Sequence, residues 1–253
     1  MKTIDLNCDM GESFGAYKLG ADDQVIKNIS STNIACGFHA GDPQIMDYTV
    51  KLAKEHGVAV GAHPGFRDLN GFGRRKIDMN PKELQNELVY QIGALQGFCQ
   101  ANGIKVVHVK AHGALYNMAC VQKDLALAIA RAIKAVDPGL IFVVFPFSEM
   151  EKAGQKEGLT TARESFADRA YNSDGMLVSR KEKGAVIHDP AVVVERVLRM
   201  VTEGKVRTSS GEDLAINPDT ICVHGDNPEA IALTSQIKGK LDQEGILIKP
   251  LAL

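Results

Sequence analysis

The chain has 253 residues, 45% of them hydrophobic and 24% charged, with a formal net charge of −2. That length suits one large domain, the usual size of a closed α/β barrel, or two small ones, with enough apolar residues for a sizeable core. The near-balanced charge and the lack of a Lys/Arg run argue against nucleic acid as the main partner, and no apolar run approaches the ~18 residues of a membrane span. The five cysteines are odd in number and lack C-x-x-C spacing, and the N-terminus carries no signal-peptide apolar region. The expectation is a reduced, cytoplasmic protein, read as a single domain over residues 1–253.

Residues 3–8 read as a first strand that runs into a polar glycine loop, and 22–29 as a short helix with an acidic start. A second strand passes Asn33 and ends in Cys36-Gly37-Phe38-His39, ahead of a helix over 44–55 that Gly57 closes. Residues 58–62 form a third strand ending at His63. The loop that follows, 64–80, combines Phe66, Arg67, Asp68, Arg74 and Arg75, and long loops of this kind are usually functional. Pro81 opens a helix to 101, and the strand 106–109 leads to Lys110 and His112. A helix over 123–136, an apolar strand over 140–145, a helix over 150–157 and a strand over 159–164 continue the alternation. It pauses at 166–187, a hairpin-like excursion that holds Asp168, Arg169, Tyr171, Asp174 and Arg180. A helix over 191–203, a polar patch, a strand over 220–223 ending at His224 and a helix over 228–241 complete the chain. Such alternation predicts parallel strands with right-handed crossovers. Because polar groups stand at the ends of many strands rather than near one switch point, a closed barrel is favoured over an open sheet.

His39, His63, His112 and His224 each follow a strand. Any one of them has an ordinary explanation as a cap or a carbonyl partner. His56 and His188 are read that way, and His108 as a core residue. The repetition predicts that the four share a pocket with nearby carboxylates. Neutral imidazoles and carboxylates together bind a divalent cation or perform acid–base chemistry. The metalloprotease spacing H-E-x-x-H is absent, and Cys8, Cys36 and Cys222 lie in apolar strands as packing. Arg74, Arg75 and Lys76 in the glycine loop either cradle a carboxylate or phosphate or form a solvated basic loop. Lys110 is either a catalytic cation or a solvent-facing one. There is no P-loop and no G-x-G-x-x-G, so a nucleotide would bind unconventionally or on a partner.

The runs Asp5-Leu6-Asn7-Cys8-Asp9-Met10-Gly11-Glu12, residues 33–43, Gly61-Ala62-His63-Pro64-Gly65-Phe66, residues 108–117, Phe166-Ala167-Asp168-Arg169 and Val223-His224-Gly225-Asp226 together resemble the LamB/YcsF family, which supplies the A subunit of 5-oxoprolinase. One departure is Ala111, where the family usually has Pro before the histidine. The resemblance implies an irregular seven-stranded parallel β/α barrel, like that of glycoside hydrolases and polysaccharide deacetylases. It implies a cytoplasmic, ATP-dependent opening of 5-oxo-L-proline to L-glutamate, with 5-oxoprolinase subunits B and C as partners and Mg2+ accompanying ATP. On this reading Asp9, His39, His63, Lys110 and His112 are catalytic. Asn7, Asp42, Arg74, Glu164, Arg169, His224 and Asp226 bind substrate or phosphate, and Asp9, His39 and His63 are the candidate metal ligands. The alternatives are a stand-alone metal-dependent amide or sugar hydrolase or deacetylase, and a non-catalytic binding subunit.

Overall fold

Strand β1 (Thr3–Met10) shows how the molecule is built. Successive strand side chains point to opposite faces. Leu6, Cys8 and Met10 therefore join the apolar core, while Asp5, Asn7 and Asp9 face the other way and hydrogen-bond to residues of other strands. The computed structural model describes residues 2–179, 181–225 and 227–252.

In chain order β1 is followed by α1 (Asp22–Val25), β2 (Ser31–Ala35), α2 (Pro43–His56) and β3 (Ala59–His63). Then come α3 (Pro81–Ala101), β4 (Val106–Val109), α4 (Gly113–Val121), α5 (Lys123–Val136), β5 (Ile141–Val144), α6 (Glu149–Glu157) and β6 (Thr161–Phe166). The chain ends with α7 (Pro190–Glu203), the short strands β7 (Lys205–Arg207) and β8 (Asp213–Ala215), β9 (Thr220–Val223), α8 (Pro228–Gln243) and β10 (Leu247–Ile248). Strands β1 to β6 pair in order and in parallel, and β9 pairs with both β6 and β1, which closes a seven-stranded barrel. The expected architecture is what folds. Its irregularities are a register shift between Val60 and Gly61 where β3 meets β4, and β10 lying against Thr3 and Ile4.

Helices α2, α3, α7 and α8 start alike. Each has Pro in its first turn and an Asp or Asn cap (Asp42, Asn80, Asp189, Asn227) whose side chain accepts from backbone N–H groups. Proline has no N–H to lose there, and the cap satisfies donors that the helix leaves open. Leu84, Leu88, Ile92 and Leu95 form one fully buried stripe of α3.

Three elements were not expected from the sequence. Helix α4 is absent from the predicted series because it is apolar almost all round, with Ala114, Leu115, Tyr116, Ala119 and Cys120 buried, so no amphipathic period marks it. The polar patch after α7 contains the antiparallel hairpin β7–β8, and β10 is two residues long. The excursion at 166–187 is hairpin-like as expected, tied by bridges Arg169–Val186 and Tyr171–Leu177. Arg180 lies outside the described residues. All five cysteines are buried and unbonded, and none of the described helices is long and apolar enough to cross a membrane.

Candidate active site

The C-terminal ends of the barrel strands open into a cavity of about 960 Å³, whose lining includes Asp9, Glu12, His63, Lys110, His112 and His224. At its floor is a buried cation. Lys110 Nζ lies 2.7 Å from Glu164 Oε1, 3.0 Å from Asp9 Oδ1, 3.2 Å from Asn7 Oδ1 and 3.3 Å from Cys222 Sγ. Burial works against the Lys110 charge, but Asp9 and Glu164 outweigh it and hold its pKa well above the ordinary value. Burial likewise opposes the Asp9 charge, yet His63 and Lys110 keep its carboxyl well below the usual range. A lysine among carboxylates with this much desolvation stays charged only because its partners are this close.

Three histidines stand beside this pair. His63 Nδ1 is 2.8 Å from the Lys110 carbonyl, and His112 Nε2 is 2.8 Å from the Phe72 carbonyl. A carbonyl only accepts, so both of those nitrogens carry hydrogen. The remaining nitrogens, His63 Nε2 and His112 Nδ1, then face each other at 3.0 Å, with Asp9 Oδ2 3.3 Å from the first and Glu12 Oε1 3.6 Å from the second. Two lone pairs and two carboxylates cannot share that space without a positive centre between them. A proton on His63 Nε2 supplies it. In keeping with that, burial pushes His63 down but Asp9 more than reverses it, so its pKa is raised. Burial, then His39 and His63, press His112 down to about 2, which leaves it neutral and accepting.

A divalent cation would meet the same need. The donor atoms of Glu12, His39, His63 and His112 lie within 4.8 Å of one another. Carbonyl partners on the far nitrogens of His63 and His112 are the kind that orient metal-ligating imidazoles. His39 fits less well. Its ring stacks on His112 at 3.7 Å with 3° between the planes, so the in-plane lone pairs of the two rings run parallel instead of converging. Glu12, His63 and His112 are the three donors that fit. Asp9, placed among the ligands from sequence, lies outside this group, its Oδ1 taken by Lys110 and Asn33.

Loop 64–80 is packed tightly over these rings. Gly73 has φ +62°, and a Cβ there would lie 2.7 Å from both His112 Cδ2 and His39 Cβ. We expect Gly73→Ala to lose about 10²-fold in turnover through displaced imidazoles, with the fold retained by circular dichroism. An unchanged rate would show that the stack does not depend on this contact. Of Arg74, Arg75 and Lys76 only Arg74 lines the cavity, because Arg75 is bound to Asp68 and Lys76 is exposed away from it.

Among the four strand-end histidines, His39, His63 and His112 are in mutual contact. His224 lines the same cavity and pairs with Asp168 at 3.1 Å. Arg169 lines it too, with its guanidinium bound to the Ala185 and Val178 carbonyls. Asn7, Glu164 and His39 sit behind the wall, acting through Lys110 or the ring stack. Asp42 does not reach the cavity. Its carboxylate caps α2 and accepts from Gly15, Gln44 and Ile45, so its binding role is corrected to a structural one. Asp226 lies outside the described residues. Glu12 was missed; its only signal was the polar glycine loop directly after β1. His108 was read as a core residue, and it is buried, but with its Nε2 2.7 Å from Asn33 Oδ1.

The LamB/YcsF family model matches residues 4–253. The 5-oxoprolinase A subunit of Natranaerobius thermophilus is 62% identical over 251 residues, covering 99% of this chain and 98% of that one. Its counterpart of the same name from Clostridium beijerinckii is 57% identical, again over 99% of this chain and 98% of its own length. Among solved structures, a lactam utilization protein from Thermus thermophilus superimposes with a TM-score of 0.96 at 46% identity, over 99% of this chain and all 100% of that one. A putative cellobiose-phosphate cleavage protein from Enterococcus faecalis shares the fold alone, at TM-score 0.56 and 11% identity, over 98% of this chain and 96% of that one. A barrel with these strand-end residues in this order, matched along nearly its whole length, belongs to the LamB/YcsF family.

Proposed function

We propose that this chain is the lactam-opening component of an ATP-dependent 5-oxoprolinase, converting 5-oxo-L-proline to L-glutamate with ATP going to ADP and phosphate, in company with subunits B and C. The observation that carries this reading is the Lys110–Asp9–His63–His112 chain at the floor of the cavity, in a protein so similar to chains named as the A subunit of 5-oxoprolinase.

The chemistry follows from the substrate. A lactam is a poor electrophile, and phosphorylating its oxygen with ATP gives a reactive imidate. Water then attacks that carbon and loses a proton, the ring C–N bond breaks as nitrogen takes one up, and the acyl phosphate left behind hydrolyses to glutamate and phosphate. Such a site needs cations for phosphoryl oxygens, a base and an acid. Lys110 and Arg74 line the cavity as the cations. Glu12 also faces it, and burial and then Asp9 push its carboxyl up, which suits it to accept water's proton. Asp9, held far down, is a poor base; it fixes the charges of Lys110 and His63 instead. His63 is placed to protonate the leaving nitrogen. A divalent cation held by Glu12, His63 and His112 would take the place of the His63 proton and, when bound, would polarise the carbonyl or phosphoryl oxygen. These residues would then serve as ligands instead of base and acid.

The test is 5-oxoproline-dependent release of ADP and glutamate, from the chain alone and then with candidate B and C subunits. Turnover is expected only in the mixture, and Asp9→Asn and His112→Ala should each abolish it while remaining folded. Near-normal turnover in both variants would overturn the site assignment. The second reading, a metal-dependent hydrolase acting alone, is favoured by the close grouping of the Glu12, His63 and His112 donors. It requires stoichiometric metal in the isolated chain and turnover without ATP.

A further inference from the structure

The barrel lumen beneath the active site holds polar residues where such barrels usually stack branched apolar ones. Two hydrogen-bonded chains climb through it to the Asp9–Lys110 pair. In one, the Thr220 hydroxyl donates to Asp5, Asn7 Nδ2 donates to Thr220 Oγ1 at 2.7 Å, and Asn7 Oδ1 accepts from Lys110. In the other, His108 Nε2 lies 2.7 Å from Asn33 Oδ1, and Asn33 Nδ2 donates to Asn7 Oδ1 at 2.7 Å and to Asp9 Oδ1 at 2.8 Å.

We propose that His108 is a positioning residue for Asp9, acting through the amide of Asn33. This rests on the functional reading above. An ionised carboxylate only accepts, so Asn33 must turn its Nδ2 toward Asp9 and its Oδ1 toward His108. His108 therefore donates from Nε2 and is the neutral Nε2–H tautomer. With that donor removed, Asn33 Oδ1 is buried without a partner, and a rotated amide would set an oxygen against the Asp9 carboxylate.

The fold makes room for this ring at some cost. A Cβ on Gly61 would lie 2.0 Å from His108 Nε2, so the strand beside it carries no side chain there, and the β3–β4 register shifts at the same point. His108 Nδ1 is buried with no hydrogen-bond partner. A histidine kept for packing alone would be better replaced by an apolar side chain, since a buried lone pair without a donor is unfavourable. A local rule broken in this way marks a functional requirement. His108 does not line the cavity, and its hydrogen bond toward the chemistry runs through Asn33.

The experiment compares His108→Leu and His108→Gln in the complete complex. The glutamine Nε2 stands the same number of bonds from Cβ as the histidine Nε2, so it restores a donor at the same place. His108→Leu is expected to lower kcat by about 10²-fold with KM for the lactam little changed, because a displaced Asp9 affects the reacting geometry more than binding. His108→Gln should recover most of that loss. A His108→Leu enzyme with wild-type kcat overturns the proposal. So does a His108→Gln enzyme as slow as His108→Leu when both melt like wild type. If the wild-type complex opens no lactam, the functional reading fails by itself. The relay is then judged from crystal structures of the two variants. An Asn33 amide turned away from Asp9 in His108→Leu and restored in His108→Gln supports it, and an amide unmoved in both overturns it.

Discussion

Lys110→Met should remove both turnover and a large part of the stability. The substitution keeps most of the side-chain volume but takes away the cation that lies within 3.0 Å of Asp9 and 2.7 Å of Glu164. Glu164 is fully buried, and Lys110 itself is 3% exposed, so water cannot replace the lost charge. Breaking a buried ion pair by deleting one partner destabilises a protein by about 3–5 kcal/mol, because the other charge is left uncompensated. Urea unfolding should show that loss, and turnover in the complex should fall below detection. Lys110→Arg should not rescue activity. The guanidinium is a flat fork, whereas the ammonium here reaches acceptors on three strands from a single point. A Lys110→Met protein as stable as wild type would mean that the Lys110 ammonium is not what compensates these carboxylates, and the charge assignment at the cavity floor would be wrong.

The second large effect is a loss of stability in acid. Burial, then Lys110 and His63, lower the His108 pKa to about 3. Above the ordinary histidine pKa both folded and unfolded chains hold this ring neutral, and it contributes no pH dependence. Below about pH 6.5 the unfolded chain takes up a proton that the fold excludes until about pH 3, so the unfolded state binds more protons and stability falls with pH. The expected slope from this one residue is about 1.4 kcal/mol per pH unit across that window. His39 and His112, both lowered chiefly by burial, act in the same direction, whereas His63 is raised and opposes them. Comparing wild type with His108→Gln isolates the His108 contribution. The variant should lose stability less steeply between about pH 6 and pH 4 by about one proton's worth of slope. Parallel curves would show that His108 is already protonated, or exposed, in the fold.

Much of the architecture was readable from pattern. Strands alternating with helices, and polar residues at many strand ends, predicted the parallel barrel, and Pro81 marked a helix start. Asp42 illustrates a signal that was present and misread. A carboxylate directly before Pro43 is a helix cap first, and the structure uses it as one. Helix α4 left no periodic signal because nearly all its sides are buried. Glu12 gave no signal beyond its polar loop, because its importance lies in contacts with His39 and His112, which come from two other strand ends.

By itself the sequence determined the order of the main strands and helices, the histidines at strand ends and the family they resemble. These are local properties, set by side-chain periodicity and by the conformational limits of Pro and Gly. Only the tertiary structure decided which polar residues face the lumen and what charge they carry there. A period of two says that Asp5, Asn7 and Asp9 share a face, but not which face is covered. Burial, and partners as remote as Thr220, 213 positions from Asn7, settle that. The same holds for the ionisation of Asp9, His63 and Lys110, since each charge persists in a dry interior only through groups that barrel closure brings within about 3 Å.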